Sequence, residues 1–90
     1  MQIVLYGGKN CSLCDRLEQL IRPHLKKLGE RTDLTYIKRD IADDPQWRQA
    51  YRDRIPVLTC DDRVLLEGRP SPEQVEGAMR RIGGAIGFRK

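Results

Sequence analysis

Ninety residues suffice for one domain and leave no room for a second core. With 39% hydrophobic and 33% charged residues of both signs, the composition is that of a globular chain rather than a disordered one. The net charge is +4, and acidic residues stand near the basic pairs Lys26-Lys27, Lys38-Arg39 and Arg80-Arg81, so the pattern reads as a solvated surface with no nucleic-acid partner.

Met1 leads directly into a strand-like segment with no basic leader, and no apolar run approaches the roughly 20 residues that span a bilayer. Three cysteines, only two of them close together, do not make a secreted disulfide scaffold. The expectation is a cytoplasmic monomer with no membrane contact.

Gln2-Ile-Val-Leu-Tyr6 is almost wholly apolar, rich in β-branched and aromatic residues and stopped by Gly7-Gly8, as suits a central strand. From Ser12 onward, Leu13, Leu17, Leu20, Ile21, Leu25 and Leu28 recur at steps of three and four and line one helix face, with a kink expected at Pro23 and a stop at Gly29. Leu34–Ile41 has strand composition. Asp43-Asp44-Pro45 then caps a short helix over Gln46–Arg52. Pro56–Cys60 and Arg63–Glu67 form a hairpin around Asp61-Asp62. Ser71 and Pro72 open a last helix whose stripe is Val75, Met79 and Ile82. The glycines from Gly83 onward argue against its continuation, so the domain is read as 1–82 and residues 83–90 as a flexible tail. The order β-α-β-α-β-β-α predicts an α/β fold with a four-stranded mixed sheet flanked by helices.

The chemistry concentrates at Lys9-Asn10-Cys11-Ser12-Leu13-Cys14, where a strand hands over to a helix. Residues three apart share a helix face, so the two sulfurs can meet, and the helix start offers free N–H groups and the positive dipole end to a thiolate. Cys11, at the mouth, is the expected attacker, and Cys14, one turn in, the resolving thiol. Lys9 favours a thiolate and Asp15 opposes it. Two inert buried thiols or a zinc half-site are the competing readings, but the remaining zinc ligands would have to be Cys60 and His24, and His24 lies about 15 Å beyond Cys14 along the helix. Cys60 is read as a small, partly buried residue, and Trp47 as a packing or contact residue.

In this element order, Cys11-Ser-Leu-Cys14 together with Ile55-Pro56-Val57 resembles the thioredoxin superfamily, and more closely its small glutaredoxin-like proteins. The resemblance implies a thioredoxin-like fold, a dithiol oxidoreductase with no bound cofactor, and a cis Pro56 that presents the Ile55 backbone beside Cys11 to disulfide-containing proteins or small molecules. It also implies recycling by glutathione or a reductase, with Lys9 and Arg69 as candidate contacts for glutathione carboxylates. A different class on the same fold, a binding module or iron–sulfur carrier with Cys11 as ligand, is the alternative. The chain departs from typical glutaredoxins in three places: Ser12-Leu13 replaces proline and an aromatic, Gly8 replaces a basic residue three before Cys11, and Arg69 follows Gly68. Glutathione-coupled activity is therefore expected to be weak.

Overall fold

The computed structural model describes residues 1–87. The elements are β1 (Gln2–Gly7), α1 (Ser12–Gly29), β2 (Thr35–Asp40), a single 3-10 turn (Ile41–Asp43), α2 (Pro45–Tyr51), β3 (Val57–Cys60), β4 (Arg63–Glu67) and α3 (Pro72–Gly87). The sheet order is β2-β1-β3-β4, with β1 parallel to β2 and antiparallel to β3, and β3 antiparallel to β4. This is the thioredoxin-like βαβαββα arrangement, with β1 in the interior of the sheet as its apolar run implied.

Alternation along β1 feeds two cores, because successive strand side chains leave opposite faces. Ile3 and Leu5 join Leu17, Ile21, Leu25 and Leu28 of α1 and Val75, Ala78 and Met79 of α3. Val4 and Tyr6 instead pack with Ile41 and Val57, under Trp47 and Tyr51 of α2. Each fully buried leucine or isoleucine contributes about 1.5–3 kcal/mol, so the larger cluster is the main anchor of α1 and α3. Among the described residues, no helix is long and apolar enough to cross a membrane.

Local chemistry explains the boundaries. Asp44 caps α2 by accepting from the Gln46 N–H at 2.8 Å, with Pro45 in the first turn. Asp61 and Asp62 both take positive φ, 48° and 71°, the conformation a two-residue hairpin turn with the right twist demands. Ser71 and Gln74 form a reciprocal capping box: the Gln74 N–H donates to Ser71 Oγ at 3.1 Å, and the Ser71 N–H donates to Gln74 Oε1 at 2.8 Å.

Two boundaries differ from expectation. The 3-10 turn after β2 carries no hydrophobic period of its own and is held by Asp40, whose side chain accepts from the Ala42 N–H. Pro23, where a kink is expected, lies exposed on the outer side of α1, and the helix continues through it to Gly29. Most clearly, α3 does not stop at Ile82 but runs through Gly83 and Gly84 to Gly87, so residues 83–87 are helix rather than tail. Packing of Val75, Ala78 and Met79 outweighs the local penalty of glycine. Residues 88–90, the rest of the expected tail, lie outside the described residues.

Candidate active site

Cys11 is the N-cap of α1. Its backbone is extended, with φ −104° and ψ 101°, and its sulfur accepts from the Cys14 N–H at 3.1 Å. The two sulfurs stand at disulfide distance, with Cα atoms 5.2 Å apart, inside the span a disulfide tolerates. Cys11 is half-buried, whereas Cys14 is only 7% exposed. Sequence spacing placed the pair on one face; the cap geometry adds that a backbone N–H is aimed at the outer sulfur.

The end of β1 fits closely around this pair. A side chain at Gly7 would put its Cβ 3.0 Å from Cys14 Sγ and 3.3 Å from Cys14 Cβ, so the inner cysteine occupies the space a side chain would need. At Gly8 the nearest atom is Ile55 Cδ1, 3.3 Å away, which brings the loop before β3 against the turn that precedes Cys11. The Ile55–Pro56 bond is cis and Pro56 is fully buried. Arg54 secures this loop through a two-pronged contact, Nε to Glu67 Oε1 at 2.8 Å and Nη2 to Oε2 at 3.1 Å, and the Arg54 hydrogen bond holds the Glu67 carboxyl below its ordinary range. On the other flank, the Arg16 guanidinium donates to the Pro70 carbonyl at 2.9 Å and ties α1 to the segment entering α3.

An open groove of about 310 Å³ runs beside the inner cysteine. Gly7, Lys9, Cys14, Glu18, Lys38 and Arg39 are among its walls. Glu18, one turn beyond Cys14, is 8% exposed. It accepts from Tyr36 Oη at 3.1 Å and Lys38 Nζ at 3.0 Å, and Arg22 lies 3.4 Å away. Burial pushes the Glu18 carboxyl up, but the hydrogen bonds from Lys38 and Tyr36 and the Lys38 and Arg22 charges outweigh it, leaving Glu18 below its ordinary range. Burial and the Glu18 carboxylate push the Tyr36 phenol up, so Tyr36 remains a donor. Arg39 stacks on Trp47, 4.9 Å from its ring centre, and donates to Tyr6 Oη at 3.0 Å.

Of the residues singled out from sequence, Cys11, Cys14 and Lys9 gather at the start of α1. Ile55 and Pro56 form the neighbouring loop, reached through Gly8. Arg69 is exposed on the β4–α3 segment and does not line the groove that Lys9 borders. Cys60 is buried in the main core, and burial pushes its thiol up, which makes it a packing residue. Among the described residues no cluster of His, Cys, Asp or Glu is arranged to hold a metal ion. Sequence reasoning missed Gly7, Glu18, Arg16 and Arg54. Gly7 was legible only as a strand stop, and Glu18 had a signal in falling four residues after Cys14 on the apolar face.

The fold recurs among solved structures. A structural-genomics target protein from X. campestris superposes with a TM-score of 0.66 at 21% identity, covering 88% of this chain and 96% of that one. The germline-specific thioredoxin Deadhead of Drosophila melanogaster gives 0.62 at 15% identity, covering 90% and 79%. Thioredoxin 1 of Thermosipho africanus gives 0.58 at 15%, covering 96% and 98%. No curated protein matches the sequence. A family model described as a glutaredoxin-like domain (DUF836) matches residues 2–80. With that model covering the sheet, the dithiol and most of α3, the chain belongs to the glutaredoxin-like domain family and exchanges thiols and disulfides through Cys11 and Cys14.

Proposed function

We propose that Cys11 is the nucleophile and Cys14 the resolving thiol of a two-cysteine exchange cycle. The Cys11 thiolate attacks one sulfur of a substrate disulfide, the other substrate sulfur leaves as a thiolate, and a mixed disulfide remains on Cys11. Cys14, deprotonated, attacks Cys11 Sγ and expels the second substrate thiolate, closing the Cys11–Cys14 disulfide. An external dithiol or two glutathione thiols return two electrons to restart the cycle. The observation that carries the assignment is the asymmetry at the N-cap. The half-buried Cys11 sulfur receives a helix N–H, while Cys14 is enclosed under Gly7. A helix start lowers a thiol's pKa and burial in apolar surroundings raises it, so the two positions favour opposite protonation states.

The loop at Ile55 supplies the docking element in this reading: an extended substrate lies beside Gly8 and pairs with the Ile55 backbone. Substrates are disulfides of proteins or small molecules, met by a cytoplasmic monomer. Glutathione serves poorly as reductant, since Lys9 borders the groove on the Cys14 side while Arg69 stands outside it. The deciding experiment is trapping. Cys14→Ser, exposed to a disulfide peptide at neutral pH, is expected to accumulate a mixed disulfide on Cys11 by intact mass, and Cys11→Ser to accumulate little. Equal trapping by both variants would remove the assignment of roles.

A further inference from the structure

The pairing of β1 with β3 ends at Tyr6 and Val57, and the pair that would extend it, Gly8 with Ile55, forms no hydrogen bond. Among the described residues, neither the N–H nor the C=O of Ile55 has a backbone partner. Both are strong hydrogen-bonding groups, and the residue is only half-buried.

The two chain neighbours of Ile55 are anchored instead, and to consecutive residues at the end of β4. Before it, the Arg54 guanidinium grips both oxygens of the Glu67 carboxylate. After it, the Pro56 carbonyl accepts from the Gly68 N–H at 2.8 Å. Gly68 has φ 72°, in the left-handed region that glycine enters without strain. Arg54 is also fixed to α2, where its own N–H donates to the Tyr51 carbonyl at 2.8 Å and its guanidinium lies 5.4 Å from the Tyr51 ring centre. Among the described residues, Arg54–Glu67 is the one guanidinium–carboxylate pair that joins two different elements. With side chains 42% and 46% exposed, the pair contributes little stability. What a two-pronged contact supplies is a fixed geometry.

We propose that Arg54 and Glu67 are positioning residues for substrate docking, holding the unpaired Ile55 backbone in place beside the turn that precedes Cys11. The inference rests on the docking role given above to Ile55 and deepens it. Because the Arg54 N–H and the Pro56 carbonyl are already used, the backbone on offer is that of Ile55 alone. One extended substrate residue satisfies it by exchanging both hydrogen bonds, as in a hydrogen-bonded antiparallel pair. The substrates selected are therefore disulfides with an extended residue near the cysteine whose amide N–H is free.

The test compares the reduced wild-type chain with Arg54→Met, Glu67→Gln and the double variant. The probes are a disulfide peptide and its analogue N-methylated at the cysteine and its two neighbours, which keeps the disulfide and loses the amide donors. Wild type is expected to exchange with the plain peptide about tenfold faster than with the analogue. Each single variant is expected to lose about tenfold with the plain peptide, the scale of a small misplacement, and to treat the two peptides alike. The double variant should lose no more than either single one, since the two side chains act as a unit. Alkylation of Cys11 by iodoacetamide and the urea midpoint should stay as in wild type. Arg80→Met, which breaks the exposed pair with Glu76 on α3, should exchange as wild type. If wild type does not distinguish the two peptides, the docking role of Ile55 falls and this inference with it. If wild type distinguishes them and the Arg54 and Glu67 variants do so equally well, docking at Ile55 stands and the inference is overturned. It is also overturned if Cys11 alkylation slows in step with peptide exchange, or if Arg80→Met loses as much.

Discussion

Gly7 shows how much of the dithiol's geometry depends on a missing side chain. The 3.0 Å approach of its virtual Cβ to Cys14 Sγ involves a short, buried side chain that cannot swing aside as a long flexible one would. Gly7→Ala is therefore expected to destabilise the reduced protein by about 1–3 kcal/mol, in the range of overpacked cores, and to slow resolution by Cys14 more than attack by Cys11. Gly8→Ala meets only the end of the flexible Ile55 side chain at 3.3 Å and should cost under about 1 kcal/mol. Urea unfolding of the two reduced variants checks the order; equal losses would mean that Cys14 is free to move away from β1. Glu18 is the other residue whose surroundings decide its behaviour. Its folded pKa lies below the ordinary 4.5, so ionised Glu18 contributes stability that is present above that value and is lost as pH falls through the folded pKa. Glu18→Gln is expected to flatten this acid limb of the stability curve, measured by denaturation at a series of pH values. An unchanged limb would show that other carboxylates cause it.

At the scale of elements, α1 does two tasks at once. Its first turn starts at Cys11, whose sulfur accepts the Cys14 N–H, and Leu17, Ile21, Leu25 and Leu28 of the same helix anchor it in the larger core, so the dithiol end is held by a buried stem. α3 shares that core and depends on its start. Ser71→Ala removes the acceptor that satisfies the Gln74 N–H and is expected to lower stability by about 1 kcal/mol. Hydrogen exchange in the first turn of α3 should accelerate, while exchange in β1 follows only the global loss. A loss confined to β1 would contradict the capping role. The loop before β3 has a different support, since the Arg54–Glu67 fork joins it to β4 at a partly exposed position. Such a pair contributes little stability; its consequence is orientation of the segment that leads to Ile55.

For the whole molecule, the ends of three segments converge beside the dithiol: the C-terminal end of β1, the N-terminus of α1 and the Ile55-Pro56 loop. The expected outcome in a glutathione-coupled reduction assay is turnover well below that of an ordinary glutaredoxin, with brisk exchange against peptide disulfides in the same preparation. Turnover equal to an ordinary glutaredoxin would show that Lys9 and Arg69 supply a working glutathione pocket from separate surfaces.

The strands and helices were legible because their causes are local. Period-two and period-3.6 patterns, the Asp61-Asp62 turn, the Asp44 cap and the Ser71-Pro72 start each act within a few residues of chain. The dithiol was legible for the same reason, its spacing and its place at a helix start being written in one short segment. The end of α3 was misread because glycine's local penalty is visible in sequence, whereas the long-range packing that overrides it is not. Likewise, nothing in the order of residues says that Gly7 touches Cys14, that Glu18 meets Tyr36 and Lys38 from another strand, or that Arg54 grips Glu67 of β4. Those relations exist only once the sheet brings distant segments together, because side-chain contacts and the electrostatics they set act over a few ångströms of space rather than along the chain.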